Sequence, residues 1–204
     1  VPAEDATLDA VSLPLGREAS GRIEAPLPAG TLFEHMGRLC SFSGSAIYVG
    51  IPHRPGYYLP ASGRLNFPAA VSIVAPAQTG IYVAADNHKN GDFAPYVYES
   101  ADLGRTWRSI SGDLPKGTIV WAFQQDHVRP DLLFLGTEFG IYTSLNRGVN
   151  WIKLSAGVPT ISFRDIKIHR RDNDLVGASF GRGFYVLDDY SPLREIGAGP
   201  LAAE

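Results

Sequence analysis

Asp102 sits in the run Ser-Ala-Asp-Leu-Gly-Arg-Thr-Trp, Ser100 to Trp107, where one carboxylate has hydroxyls on both sides. A carboxylate so placed could act as a general acid or base. It could equally tie a turn, because Asp side chains accept hydrogen bonds from backbone N–H groups just downstream. Other chemistry-bearing residues are scattered. His88, His127 and His169 have no metal-ligand spacing. Arg182 lies in Gly-Arg-Gly between two strand-like runs with no helix after it, so this is not a phosphate loop. Cys40 is the single cysteine, which excludes an intrachain disulfide and a thiolate metal site. No metal site and no cofactor is expected.

Recurrence separates the two readings of Asp102. Placing "VYESADLGRTWRSI" over "IYTSLNRGVNWIKL" aligns Tyr98 with Tyr142, Ser100 with Ser144, Asp102 with Asn146, Gly104 with Gly148 and Trp107 with Trp151, all 44 residues apart. Thr106 belongs to the first copy of the motif. A third copy, "FYVLDDYSPLREI", sets Tyr185 and Asp189 a further 43 residues on, with the Gly lost and Leu193 in place of the Trp. Asn146 keeps the acceptor that a turn needs but would abolish acid or base function. The run therefore reads as structural: Asp102 ties a turn, the glycines adopt positive φ, and the tryptophans fill space between repeats.

The elements around the motif repeat with it. "TIVWAFQQD", "LLFLGT", "IYTSLN" and "WIKL" read as four short strands, rich in β-branched and aromatic residues. "FRDIKIHR", "LVGAS", "FYVLDD" and "LREI" repeat that order. "AAVSIVAP", "GIYVAADN", "YVYESAD" and "WRSIS" precede both, with an insertion, "HKNGDFAP", between the second and third strands. The apolar runs suit sheets covered on both faces. Four-stranded units at this period predict an all-β chain, a partial β-propeller of about three blades with a fourth, degenerate one. The expected divisions are residues 68–117, 118–159 and 160–196 for the three blades, with 197–204 as a tail. Residues 1–67 form a loop-rich segment. In it "AIYVG" and "GYYL" read as strands, Phe67 takes the Trp position, and "TLFEHMGRL" is a short helix or an irregular strand.

The composition narrows the partners. A net charge of −3 gives no reason to expect nucleic acid or an anionic membrane. No apolar run approaches a membrane span, and "VPAEDATLDA" lacks the basic and apolar parts of a signal peptide.

"SADLGRTW" resembles the Asp-box, or bacterial neuraminidase repeat (BNR). The longer stretch over 68–196 is similar to the propeller end of large bacterial sortilin-like BNR-repeat proteins, often labelled glycosyl hydrolases. The resemblance implies an extracellular or periplasmic location. It also implies that the motif turns lie away from the ligand face, which is built by loops joining second to third strands and by those joining blades. Asp86, His88, Lys89, Asp92, Glu138, Arg164, Asp165 and Arg182 fall in those loops. Glu138 and Asp165 are the pair that glycoside hydrolysis across a cleft would use. The simpler reading makes Glu138 a solvated turn residue and Arg164 with Asp165 a local ion pair. The arginines show none of the clustering a sialidase needs.

Two functions follow. The first is a non-catalytic module that binds a protein, peptide or glycan, and the second is an Asp-box-type glycoside hydrolase acting on a polysaccharide. Three or four blades leave sheet edges bare, so the remainder of a larger propeller, or another copy of the chain, is the expected partner. If Asp102 is structural, Asp102→Ala lowers stability by about 1–2 kcal/mol and leaves ligand binding intact. Denaturant titration beside a binding assay checks this, and a well-folded variant that loses its ligand would reverse the reading.

Overall fold

The computed structural model describes residues 25–26, 30–35, 38–51, 54–58, 64–67, 69–102 and 106–196. Gly104, the tail 197–204 and nearly all of "REASGRIEAPLPAG" lie outside the described residues. The chain divides into two units, Val1–Val71 and Ser72–Glu204.

In the first unit the strands are β1 (Ala25–Pro26), β2 (Thr31–His35), β3 (Arg38–Ser43), β4 (Ala46–Ile51), β5 (Arg54–Tyr58) and β6 (Arg64–Asn66). They form one sheet in the order β1-β5-β4-β3-β2, with β6 also on β4. "TLFEHMGRL" is thus no helix but a hairpin, with Thr31 opposite Phe42 and His35 opposite Arg38. Cys40, Ser41, Ala46 and Ile47 are buried. Phe67 follows β6 and donates its backbone N–H to the Ser45 carbonyl (2.8 Å). The repeat tryptophans instead precede their strands, so Phe67 is not their structural counterpart.

Sheets of the second unit follow the repeat. The first is β7 (Ala70–Ala77), β8 (Gly80–Asn87), β9 (Asp92–Ser100) and β10 (Arg108–Ser109), an antiparallel meander. The expected insertion is a lengthened β8–β9 hairpin with a 3-10 turn at His88–Asn90. The second sheet is β11 (Val120–Gln125), β12 (Leu133–Thr137), β13 (Gly140–Ser144) and β14 (Ile152–Leu154). The third has only β15 (Phe163–His169), β16 (Asp174–Ser179) and β17 (Phe184–Leu187).

Alternation along each strand sends side chains to opposite faces, and here both faces are covered. Val120, Phe123, Leu133, Leu135 and Tyr142 pack against Tyr82, Ala84 and Val97 of the first sheet. Ala122, Phe134 and Ile141 pack against Phe163, Ile166 and Leu175 of the third. This is why β12 and β13 are buried at every residue and read as continuous apolar runs. Gly136 lets the sheets approach, because a Cβ there would meet the Phe163 carbonyl oxygen at 2.9 Å.

The motif turns close in the same way twice. Asp102 Oδ1 accepts from the Ser100 hydroxyl (2.9 Å) and the Thr106 N–H (2.8 Å). Asn146 Oδ1 accepts from the Ser144 hydroxyl (3.0 Å) and the Asn150 N–H (2.9 Å). Gly148 has φ +79 and touches Ile110, where a Cβ would lie 2.6 Å from the Ile110 Cβ. Trp151 then crosses to the preceding sheet. It is buried, its indole N–H donates to the Ile110 carbonyl (2.9 Å), and its backbone N–H donates to Asp113 (2.7 Å). Glu99 adds a second tie between the sheets by accepting from Arg147 and Arg108 (2.5 Å each) and from the Tyr82 hydroxyl (2.8 Å).

The end of the third repeat departs from the expected strand. "LREI" is not β-structure, and Ser191–Arg194 is a 3-10 turn. Tyr190, not Leu193, is its buried aromatic anchor. The Tyr190 hydroxyl donates to buried Asp126 (2.6 Å), and Arg194 reaches both Asp126 oxygens (2.8 Å each). Arg129 holds the turn from below by donating to the carbonyls of Arg194 (2.7 Å) and Ile196 (2.8 Å). The chain therefore docks back on the second sheet instead of completing the third.

Burial acts to push the Asp126 carboxyl up. The bonds from Arg194, Tyr190 and the Arg129 N–H outweigh burial and bring it down to about 2. That lies below the ordinary carboxylate value of about 3.9, so the ionised network contributes fully above about pH 4 and is lost as pH falls towards 2. The contribution is on the order of 2 kcal/mol. Unfolding followed from pH 7 to 2 is expected to show this acid limb, and Asp126→Asn to shrink it while lowering stability at neutral pH. An unchanged acid limb in the variant would place the titration elsewhere.

Candidate functional site

In a four-stranded meander the β12–β13 turn and the chain's entry to β11 share one end, and the β13–β14 motif turn lies at the other. The loop residues therefore gather away from Asn146 and Trp151. Two irregularities, each in the first strand of a sheet, set its centre. The β11–β12 register shifts between Val120 and Ala122, and the β15–β16 register shifts between Phe163 and Asp165. Each bulge leaves one residue outside the ladder, Trp121 in the first and Arg164 in the second. A bulge re-aims the side chain it carries. The two side chains meet: the Arg164 guanidinium carbon lies 3.9 Å from the centroid of the Trp121 ring.

Glu138 completes the group from the β12–β13 turn. Its Oε2 accepts from the Trp121 indole N–H (2.7 Å), the Ser162 hydroxyl (3.2 Å) and Arg164 Nη2 (3.4 Å). Indole, hydroxyl and guanidinium thus converge on one carboxylate oxygen, and charge-assisted bonds of this kind are the stronger ones. Phe180, from the β16–β17 connection, lies 5.4 Å from Arg164 on its open side and is 73% exposed. On the other flank His88 meets the Trp121 ring edge-on at 6.3 Å. Asp86 orients that imidazole, accepting from the His88 backbone N–H (3.0 Å) and sitting 2.5 Å from its Nδ1.

Asp86, His88, Glu138 and Arg164 are therefore drawn into one cluster. The other loop residues take different partners. Asp165 lies beyond the bulge and pairs with Lys167 (3.3 Å), so the ion pairs are Arg164–Glu138 and Lys167–Asp165. Asp92 is held within its hairpin by Tyr96 (2.5 Å), Asn87 (3.2 Å) and the Ala94 N–H (3.0 Å). Those bonds, led by Tyr96, keep its carboxyl below the ordinary range. Arg182 is exposed between two glycines of positive φ. Asp189, just before the 3-10 turn, accepts from the Ser191 N–H (3.1 Å).

Trp121, Ser162 and Phe180 were missed by the sequence reading. A signal for the first was present, since Trp121 and Arg164 stand one repeat period apart. His169, Asp172 and Asp174 gather at the β15–β16 turn, the one trio of potential metal ligands among the described residues, and Arg171 already pairs with Asp172 (2.8 Å).

No protein-family model and no curated sequence matches the chain. Solved structures do resemble it. YCF48 from Cyanidioschyzon merolae matches at TM-score 0.59 and 10% identity, over 90% of this chain and 54% of its own. An ancestral GH74 enzyme matches at TM-score 0.53 and 18% identity, over 76% of this chain and 21% of its own. The extracellular domain of BT4673 from B. thetaiotaomicron matches at TM-score 0.52 and 15% identity, over 81% and 22%. These neighbours are β-propeller proteins. The fold is accordingly all-β and that of part of a β-propeller, and the chain spans about half or less of each of these structures.

A double-mutant cycle checks the stacked pair. Trp121→Ala and Arg164→Ala are expected to couple by about 0.5–1 kcal/mol in denaturant unfolding. Additive losses would mean that the two side chains are neighbours without interaction.

Proposed function

We propose that the chain is a non-catalytic segment of an Asp-box, sortilin-like BNR-repeat propeller that binds a protein, peptide or glycan on its loop face. The remainder of a larger propeller, or a second copy, completes it. The observation that carries this reading is the convergence of Trp121 and Arg164 from two successive bulges onto Glu138. Aromatic rings beside a charged pair, with Phe180 and Phe139 exposed nearby, suit recognition by stacking and hydrogen bonding.

The same geometry argues against glycoside hydrolysis by Glu138 and Asp165. The two carboxyls are held by different partners, Glu138 Oε2 by the Trp121 indole, the Ser162 hydroxyl and Arg164. Asp165 is exposed and turned to Lys167.

Glycan and peptide arrays probed with the 204-residue chain test the proposal. Trp121→Ala and Arg164→Ala are expected to weaken any specific ligand by tenfold or more, on the order of 1.4 kcal/mol. Polysaccharide cleavage that Glu138→Gln or Asp165→Asn abolishes would refute it in favour of the hydrolase.

A further inference from the structure

The loop end holds hydrogen-bond donors that lack acceptors. Its carboxylates are Asp86, Asp92, Glu138 and Asp165, and each is held, by His88, Tyr96, the Trp121 indole and Lys167 respectively. The cations are not matched in the same way. Lys89 and Arg182 are exposed, and among the described residues neither has an ion-pair or hydrogen-bond partner. Arg164 gives one nitrogen, Nη2, to Glu138 at 3.4 Å, and its other N–H groups make no bond among the described residues. This surplus of cations stands in a chain whose net charge is −3.

The same cations flank the cluster. Lys89 follows His88, which meets Trp121, in the hairpin of the first sheet. Arg182 lies two residues beyond Phe180, which faces Arg164, in the β16–β17 connection of the third. Each sheet also exposes a phenylalanine at this end: Phe93 and Phe139 at 52% and Phe180 at 73%.

These features select among partners. A neutral glycan brings hydroxyl donors and needs free acceptors, and the acceptors here are engaged. The Trp121 ring is no open platform for a sugar, since Arg164 covers one face and Glu138 takes its N–H. An acidic polysaccharide would satisfy the cations but carries no apolar side chain for the phenylalanines. Nucleic acid has bases to stack, yet a sequence pI of about 6.0 is not that of a nucleic-acid surface. A peptide with carboxylates set among apolar side chains supplies both needs. Packed sheets lie about 10 Å apart, so the first and third are separated by about 20 Å, which about six or seven extended residues span.

We infer that the loop face takes an acidic segment of another protein, with its carboxylates on Lys89, Arg164 and Arg182 and its apolar side chains on the exposed phenylalanines. Arg182, between two glycines of positive φ, is the main anchor, because a guanidinium fork matches a carboxylate with two parallel bonds. The inference rests on the loop-face reading and adds the chemistry of the partner.

The probe is a labelled peptide, EFELEFE, titrated by fluorescence anisotropy into the full chain. Saturable binding is expected, weakening as salt is raised. Replacing every Glu of the peptide by Gln is expected to weaken it about tenfold or more. Lys89→Glu and Arg182→Glu are each expected to weaken it about fivefold, and together by more than about tenfold, with the melting temperature unchanged. No binding at millimolar peptide, equal affinity for the Gln peptide, or equal affinity in the double variant overturns the inference. So does tighter binding of polygalacturonate or of a thymidine oligonucleotide. The two readings fail separately. If an array ligand is lost in Trp121→Ala while EFELEFE does not bind, the loop face stands and its acidic partner falls. If EFELEFE binds wild type, Trp121→Ala and the double variant alike, both fall.

Discussion

A sheet that is apolar on both faces must be covered on both, and this requirement organises the three repeat sheets. The second sheet satisfies it completely, with Leu133 and Leu135 turned one way and Phe134 the other. Burying a side chain of that size contributes about 1.5–3 kcal/mol, but only where a neighbouring sheet removes it from water. Each sheet is thus stable through the next, as expected for stacked repeats. The ties between sheets are polar as well as apolar. Trp151 donates to Ile110, Arg147 to Glu99 and Arg194 to Asp126, so each crossing is fixed in position as well as buried.

These polar ties are buried or half-buried, and their cost differs from that of surface pairs. Asp126 and Glu99 are almost wholly removed from water. A carboxylate in that position is tolerated only when donors surround it. Asp126 has five, from Tyr190, both Arg194 nitrogens and the backbone N–H groups of Val128 and Arg129. The third sheet has no fourth strand, and its last turn is anchored by this network instead.

The sequence made the motif end of the repeats readable and the loop end much less so. Motif residues recur because a Trp that fills a gap, and a Gly that touches Ile110, admit few substitutes. Constant spacing exposed them. Trp121 and Arg164 share a position in the repeat but not a chemistry, so Arg164, named for its loop, did not lead to Trp121. Their meeting depends on two bulges, and bulges leave no mark in a strand-length run of residues. Tyr190 escaped for a related reason. A shortened connection moved the aromatic anchor ahead of its expected place, and the following residues closed into a 3-10 turn. The "TLFEHMGRL" hairpin was ambiguous because short apolar runs fit helix and strand alike.

The bulges have a consequence for how such a surface can change over generations. A residue inside a ladder answers to the partner across from it, and replacing it disturbs two strands. The extra residue of a bulge has no such partner. Indole occupies that slot in one repeat and guanidinium in the next, while the surrounding registers stay intact. The second and third repeats therefore each carry one position outside the ladder, where a change of side chain leaves the strand pairing in place. A duplicated architecture can thus vary the chemistry it presents at one end by changing those positions alone.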